Sequence, residues 1–235
     1  MTDDSDLQGL NAYDLFDREA DRLYRYFTSI DDDATWSRQS GCTAWTVRDM
    51  LGHLRADEDY FQSCAAGRVA EFMQGMGERG ATDLETGNQL GVDTYAGRPA
   101  GEVIEEWRTI NADTRKQFRE RDGGDVDTAV GAYPARWQAF HLAQELATHA
   151  DDIGVPVMAD EEPARTNWRA AVDRFALMEA KSDVKVQAAG DSTRYEFDDK
   201  TGTIPNRDFV DAVGGRLAAN HPIDPDVRAK LCATP

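Results

Sequence analysis

The chain has 235 residues, enough for one large domain or two small ones. Its 26 Lys and Arg residues face 44 Asp and Glu residues, which gives a formal net charge of −18. This acidic excess argues against a nucleic acid or an anionic membrane surface as a partner. The apolar runs are too short to span a bilayer, and the acidic N-terminus lacks a signal-peptide pattern. Three widely spaced cysteines without a C-x-x-C motif indicate reduced thiols in a cytoplasmic protein.

The first part of the chain has the apolar spacing of helices. From Asn11 to Ile30, apolar residues recur every three or four positions, which predicts an amphipathic helix that ends at the acidic run 31–33. Thr46 is a favourable N-cap, and Asp49 stands at the third helical position. A second helix is therefore predicted over 47–66.

Glycines recur between Gly75 and Gly97 and predict a long, irregular connection. A third helix fits 100–121, and a fourth fits 135–153, where Gly154-Val155-Pro156 ends it. Four long helices with one long connection predict a four-helix bundle.

The pattern changes after the acidic, proline-containing segment 160–163. The elements predicted beyond it are a helix, two strands joined by a hairpin, and a last helix: 164–179, 184–188, 194–198 and 206–219. We therefore predict a mainly α protein, with a four-helix bundle over 1–160 and a small α+β domain over 161–235.

Histidine and glutamate share one stripe of the fourth predicted helix. His141, Glu145 and His149 follow one another at intervals of four, so they lie on the same helical face. His53 lies among apolar residues of the second helix, and a buried imidazole needs a partner. A site between facing helices is a common place for a metal, and these ligands suit Zn²⁺, Fe²⁺, Ni²⁺ or Mn²⁺. On spacing alone, a Glu-x-x-x-His pair is more often a surface pair, and a single histidine such as His53 is more often a hydrogen-bonded core residue.

Two segments resemble the signatures of a known family. S-G-C-T-A-W-T-V-R-D-M-L-G-H-L, at 40–54, is similar to the C-x-x-W-x-V-x-D-L-x-x-H-L signature of the DinB-like, mycothiol-dependent maleylpyruvate isomerases. A-Q-E-L-A-T-H-A-D-D-I-G-V-P, at 143–156, resembles that family's E-x-x-x-H-x-x-D motif. The resemblance implies a DinB-like four-helix bundle with a divalent metal, typically zinc, bound by His53, Glu145 and His149.

Other positions follow from the same resemblance. Asp152 matches the acidic residue after the second histidine and either orients His149 or forms a salt bridge at the helix end. His141 lies outside the ligand set and is a spare ligand, a proton carrier or a satisfied core histidine. Cys42 is interpreted as a small buried residue, not a nucleophile. Arg216, in A-V-G-G-R-L, resembles a segment of a sterol-carrier-like domain, where a catalytic arginine would hold a substrate carboxylate.

The chemistry that the resemblance implies is thiol activation. A bound cation deprotonates a coordinating thiol, and the thiolate of mycothiol would add to an electrophilic, carboxylate-bearing substrate. In an isomerase, the attacked double bond becomes single, rotates and re-forms as the trans isomer, so maleylpyruvate would give fumarylpyruvate. The alternatives are a mycothiol S-transferase of detoxification or biosynthesis and a non-catalytic, metal-binding DinB-like protein.

Overall fold

The computed structural model describes residues 4–232 and is mainly helical, with a small C-terminal sheet. It divides into two compact units, of which one is Asn11–Val155. The other combines residues 4–10 with the chain beyond residue 155, whereas the sequence analysis grouped the N-terminal residues with the helical domain. The outer ends of the two predicted domains, 1–3 and 233–235, lie outside the described residues. No helix in the described part of the chain is long and apolar enough to cross a membrane.

The first unit contains seven helices and a two-stranded antiparallel hairpin among its described residues. In chain order these are α1 (Ala12–Ser29), α2 (Asp33–Trp36), α3 (Val47–Ala66), α4 (Val69–Glu78), α5 (Leu84–Tyr95), α6 (Ala100–Glu120), β1 (Asp125–Thr128), β2 (Gly131–Pro134) and α7 (Ala135–Asp152). The four long helices α1, α3, α6 and α7 are those the sequence predicted. Helix α1 packs against α6 and α7, and α3 packs against α6.

Helix α3 begins where its capping residues predict. The Thr46 side chain accepts a hydrogen bond from the backbone N–H of Asp49, and the Asp49 carboxylate accepts one from the backbone N–H of Thr46 at 2.9 Å. The helix ends at Ala66, and the next residue, Gly67, caps it in a left-handed conformation with φ of 67°. Its inner face buries Met50, Leu51 and further apolar residues, and this packing fixes the direction of the side chains beside them.

The prediction of an irregular connection over 75–97 is wrong, because the segment forms the end of α4 and all of α5. Helix α5 begins with a second capping box, between Asp83 and Thr86. Gly91 lies so close to α3 that an added Cβ would be 2.7 Å from the Cβ of Ala56. The absence of a side chain at Gly91 therefore permits close packing of α5 against α3. In the sequence, such a glycine cannot be told from a glycine in a loop.

The second unit is an antiparallel sheet packed with helices. Its elements are a 3₁₀ turn (Ser5–Leu7), α8 (Glu162–Glu179), β3 (Lys185–Ala189), β4 (Ser192–Phe197), β5 (Lys200–Pro205), α9 (Asn206–Val213) and α10 (Pro225–Leu231). The strands are ordered β3-β4-β5, and a core of apolar residues lies between them and the helices.

The second unit differs from the prediction in its last third. Strand β5 was missed, although it pairs with β4 along its whole length. The last predicted helix, 206–219, ends at Val213, because Gly214 and Gly215 follow, the latter with φ of +70°. Helix α10 lies beyond the last predicted helix and was not predicted, and the side chain of Asp224 caps it.

Candidate metal centre

The three predicted ligands converge between α3 and α7. The Nε2 atoms of His53 and His149 are 3.2 Å apart. The Glu145 Oε1 atom is 2.9 Å from the His149 Nε2 and 3.6 Å from the His53 Nε2. Both imidazoles are buried, with 3% and 7% of the residue exposed. One face of each helix thus contributes to a single cluster of three ligand atoms.

These distances fit a divalent ion. Ligands at about 2.0–2.1 Å from a tetrahedral zinc are about 3.3 Å from one another, and the three observed separations bracket that value. With a neutral His149 the contacts place acceptor against acceptor, since its Nδ1 is 2.9 Å from the Asp152 carboxylate, to which it donates. A cation at the centre resolves this mismatch, so the residues present fit the metal that the resemblance implies.

Asp152 contacts the Nδ1 side of the His149 ring and also contacts Gly41 and Cys42, which precede α3. The Asp152 Oδ2 atom lies 3.4 Å from the Cys42 Sγ as well as next to the imidazole. The Asp152 carbonyl accepts a hydrogen bond from the backbone N–H of Gly41 at 2.8 Å. This arrangement orients the ring and leaves its Nε2 pointing at Glu145.

His53 is held by packing instead. Its ring centroid is 4.6 Å from that of Trp45, and its buried Nδ1 has no hydrogen-bond partner. Its Nε2 lies 3.1 Å from the Oδ2 of Asp57, one turn further along α3. Asp57 was not predicted from the sequence, although its spacing of four from His53 is the same signal that identified Glu145 beside His149.

The buried carboxylates of the cluster are stabilised by positive charge on the groups around them. Burial alone lowers the pKa of His149, but Glu145 and the hydrogen bond to Asp152 raise it well above the usual range. Burial raises the pKa of Glu145, and the imidazoles of His149 and His53 reverse this and hold it well below its usual range. Burial raises the pKa of Asp57 to about 6, although His53 opposes the shift. Either a proton or a metal ion therefore balances these carboxylates, and the two compete for the same atoms.

The family comparison bears on this centre. The model of the mycothiol maleylpyruvate isomerase N-terminal domain matches residues 16–154, which is more than half of the chain. The chain belongs to this family. The matched segment contains the whole cluster, with all three predicted ligands. Neither the curated proteins nor the solved structures that were searched contain a match.

In this member of the mycothiol maleylpyruvate isomerase family, the centre opens onto a cavity of about 670 Å³. His53, Asp57 and Glu145 form part of its wall, and 41% of the Glu145 side chain is exposed. Helices α4 and α5 form much of the rest. The centre thus has an accessible side on which a small molecule could approach a bound ion.

His141 lines the same cavity and is not part of the cluster. Its Nε2 is 3.0 Å from the hydroxyl of Tyr133, on strand β2. This hydrogen bond fits the interpretation of a satisfied histidine, and the position in the wall also suits a proton carrier.

Arg216 belongs to the second unit, in the turn that follows α9. Its guanidinium donates a hydrogen bond to the carbonyl of Gly214. Its catalytic role stays a prediction.

Proposed function

We propose that the protein is a divalent-metal-dependent enzyme that activates the thiol of mycothiol for addition to an electrophilic substrate. One observation supports this most strongly: two imidazole nitrogens and one carboxylate oxygen meet at the separations of a tetrahedral site that is open on one side. Three protein ligands with an open position are the arrangement of a catalytic metal, not of a structural one. Zinc is the proposed ion, with other divalent metals as alternatives.

We also propose the fold type of each unit and the location of the protein in the cell. The packing of α1, α3, α6 and α7 supports a DinB-like four-helix bundle, and the family match supports that fold for the first unit. For the second unit we propose a sterol-carrier-like α+β domain. We propose a cytoplasmic location, which is supported by the three cysteines, none of which forms a disulfide among the described residues.

Each residue of the centre has a distinct proposed role. His53, Glu145 and His149 would hold the ion, and Asp152 would fix the tautomer and direction of His149. Bound zinc would supply a positive charge that keeps a thiol sulfur deprotonated at neutral pH. The apolar side chains of the cavity would exclude water from the reacting atoms.

The proposed reaction is the one in the family's name. The substrate double bond, conjugated to a carbonyl, accepts the sulfur at one carbon, becomes single and rotates. It re-forms as the trans isomer when the sulfur departs, with no net redox change. Arg216 is the proposed partner of a substrate carboxylate.

The test is turnover of maleylpyruvate by the zinc-loaded protein, with and without mycothiol, followed by absorbance and product analysis. We expect trans product only when both metal and thiol are present. A stable thioether product would instead indicate an S-transferase. A protein that zinc protects against heat but that converts no electrophile would be a non-catalytic metal-binding protein, and the proposal would fail.

A further inference from the structure

The segment that precedes α3 reaches both histidines of the candidate centre, but by different means. Gly41 donates its backbone N–H to the carbonyl of Asp152, and the Asp152 carboxylate accepts the Nδ1 proton of His149. In the same segment, the indole of Trp45 lies beside the imidazole of His53. The segment is thus connected to His149 through a carboxylate and to His53 through an aromatic ring.

His53 lacks the hydrogen bond that normally orients a ligand histidine. A metal-bound imidazole usually donates its second N–H to a carboxylate, a carbonyl or a water molecule, and this bond fixes the ring. His149 has such a partner in Asp152, 2.9 Å from its Nδ1. The Nδ1 of His53 is buried and has no hydrogen-bond partner among the described residues. Another contact must therefore hold the plane of the His53 ring.

The direction of this ring decides which neighbour its Nε2 atom serves. Nε2 lies 3.2 Å from the Nε2 of His149, inside the ligand cluster, and 3.1 Å from the Oδ2 of Asp57, which is not part of that cluster. An imidazole that is free to turn can donate an N–H to Asp57 and withdraw its lone pair from the ion. Zinc binding therefore needs a ring that is held in place.

The ring of Trp45 is placed to hold it. The centroids of the Trp45 and His53 rings are 4.6 Å apart, and their planes are inclined by 37°. Two aromatic rings at this separation are in direct contact, so the indole limits rotation of the imidazole about its Cβ–Cγ bond.

Trp45 is itself fixed at its backbone and at the far end of its side chain. Its carbonyl accepts hydrogen bonds from the Ser40 hydroxyl and from the Gln39 side-chain amide, both at 2.7 Å. Its indole N–H donates to the Oε1 of Gln89, on α5, at 3.0 Å. The Gln89 amide is oriented in turn, because it donates to Asp93 at 2.8 Å. The indole is therefore a rigid support for the imidazole beside it.

We propose that Trp45 is a positioning residue of the metal centre, which holds the His53 imidazole with Nε2 directed at the ion. Its ring does for His53 what the Asp152 carboxylate does for His149. This inference rests on the metal-binding part of the proposed function and adds a residue that contacts no ion itself.

Zinc affinity, measured by competition with a zinc-binding dye, tests the proposal. Trp45→Leu keeps an apolar side chain but removes the flat ring, and the affinity should fall about 10–100-fold, the usual effect of losing a residue that orients a ligand. Trp45→Phe keeps an aromatic face and is expected to keep the wild-type affinity. Trp36→Leu is the matched control, because this half-buried indole stacks on Phe27 and, among the described residues, on no imidazole.

Nitrogen NMR of the imidazoles gives a measurement that a purely space-filling role would not change. The chain has four histidines, so their signals can be assigned individually. At saturating zinc we expect His53 to be bound through Nε2 in the wild type and in Trp45→Phe. In Trp45→Leu the His53 signal should lose its bound position, whereas that of His149 should keep it.

Wild-type zinc affinity and a fully bound His53 in Trp45→Leu would overturn the inference. Trp45→Met also lacks a ring and gives the same test if Trp45→Leu does not fold. Turnover separates this result from the proposed function: an active wild type with an unaffected Trp45→Leu centre would refute the inference alone. A weakened Trp45→Leu centre in a protein that converts no electrophile would refute the proposed enzyme alone. A wild type that binds no zinc would overturn both.

Discussion

Two polar clusters are buried against α3, and they differ in how their hydrogen bonds match. Glu58 is fully buried, and each of its carboxylate oxygens has its own donor: Asn111 Nδ2 at 2.7 Å and Thr114 Oγ1 at 2.6 Å. The cluster around His53 instead brings two imidazole nitrogens and a carboxylate oxygen together, and the Nδ1 of His53 has no hydrogen-bond partner. Burial of polar groups is normally compensated inside the protein, as it is for Glu58.

The comparison separates a structural cluster from a site that needs a ligand. Helix α6 supplies the donors that make Glu58 self-sufficient. At His53 the facing helix α7 supplies Glu145 and His149, whose side chains are further candidate metal ligands. The second cluster therefore has the donor set for a cation, whereas the first is satisfied by its own hydrogen bonds.

The largest predicted effect is the loss of zinc affinity when one proposed ligand is removed. His53→Ala is expected to lower zinc affinity about a thousandfold, about 4 kcal/mol, because two remaining ligands hold the ion poorly. Plasma mass spectrometry should find about one zinc per chain in the wild type and almost none in the variant. His141→Ala, in the same cavity wall, is the control and should keep its metal. Full occupancy in His53→Ala would refute the ligand assignment.

The Glu58 cluster should make the stability of the protein depend on pH, and it should not affect metal binding. Burial raises the pKa of Glu58 to about 7, although its hydrogen bonds with Thr114 and Asn111 oppose the shift. The folded state thus binds more protons than the unfolded state between pH 4.5 and about 7, so this stabilising contribution is complete below that window and is lost as pH rises through it.

Urea unfolding of the wild type and of Glu58→Gln measures that loss. The stability of the wild type relative to the variant should fall by about 3 kcal/mol across the window. The glutamine keeps the shape and cannot ionise, which makes it the matched control for charge. A difference that stays constant with pH would show that Glu58 titrates normally.

The orientation of His149 predicts a smaller effect. Asp152→Asn removes the carboxylate that accepts the Nδ1 proton at 2.9 Å, and zinc affinity should fall about 10–100-fold. The neighbouring Asp151, on the exposed side of α7, provides the control Asp151→Asn. Competition with a zinc-binding dye measures both variants, and equal affinities would show that Asp152 does not position the ligand.

The smallest effect on zinc affinity should come from a methyl group added at Gly41, next to the Asp152 carboxylate. A Cβ at Gly41 would lie 2.5 Å from the Asp152 Oδ1, so Gly41→Ala must displace the side chain from His149. We expect about a fivefold loss of zinc affinity, about 1 kcal/mol. Gly75→Ala, where an added Cβ meets nothing within 4 Å, should leave zinc binding unchanged. Unchanged affinity in Gly41→Ala would mean that Asp152 has room to adjust.

The metal ligands could be proposed from sequence because their signal is local. Glu145 and His149 are one helical turn apart, the apolar neighbours of His53 indicated its burial, and the resemblance implied that the three act together. Asp57 was available by the same spacing and was missed. The cavity was not predicted, because glycines that let α5 approach α3, such as Gly91, were interpreted as loop residues.

The sequence by itself determined the four long helices, the capping of α3 at Thr46 and the family, since helical periodicity and capping depend on neighbours within one turn. Only the tertiary structure decided which polar groups are satisfied. Glu58 finds donors on α6, whereas His53 meets His149 of α7 and a cavity lined by α4 and α5. These matches depend on distances between helices far apart in the chain, which local spacing does not encode.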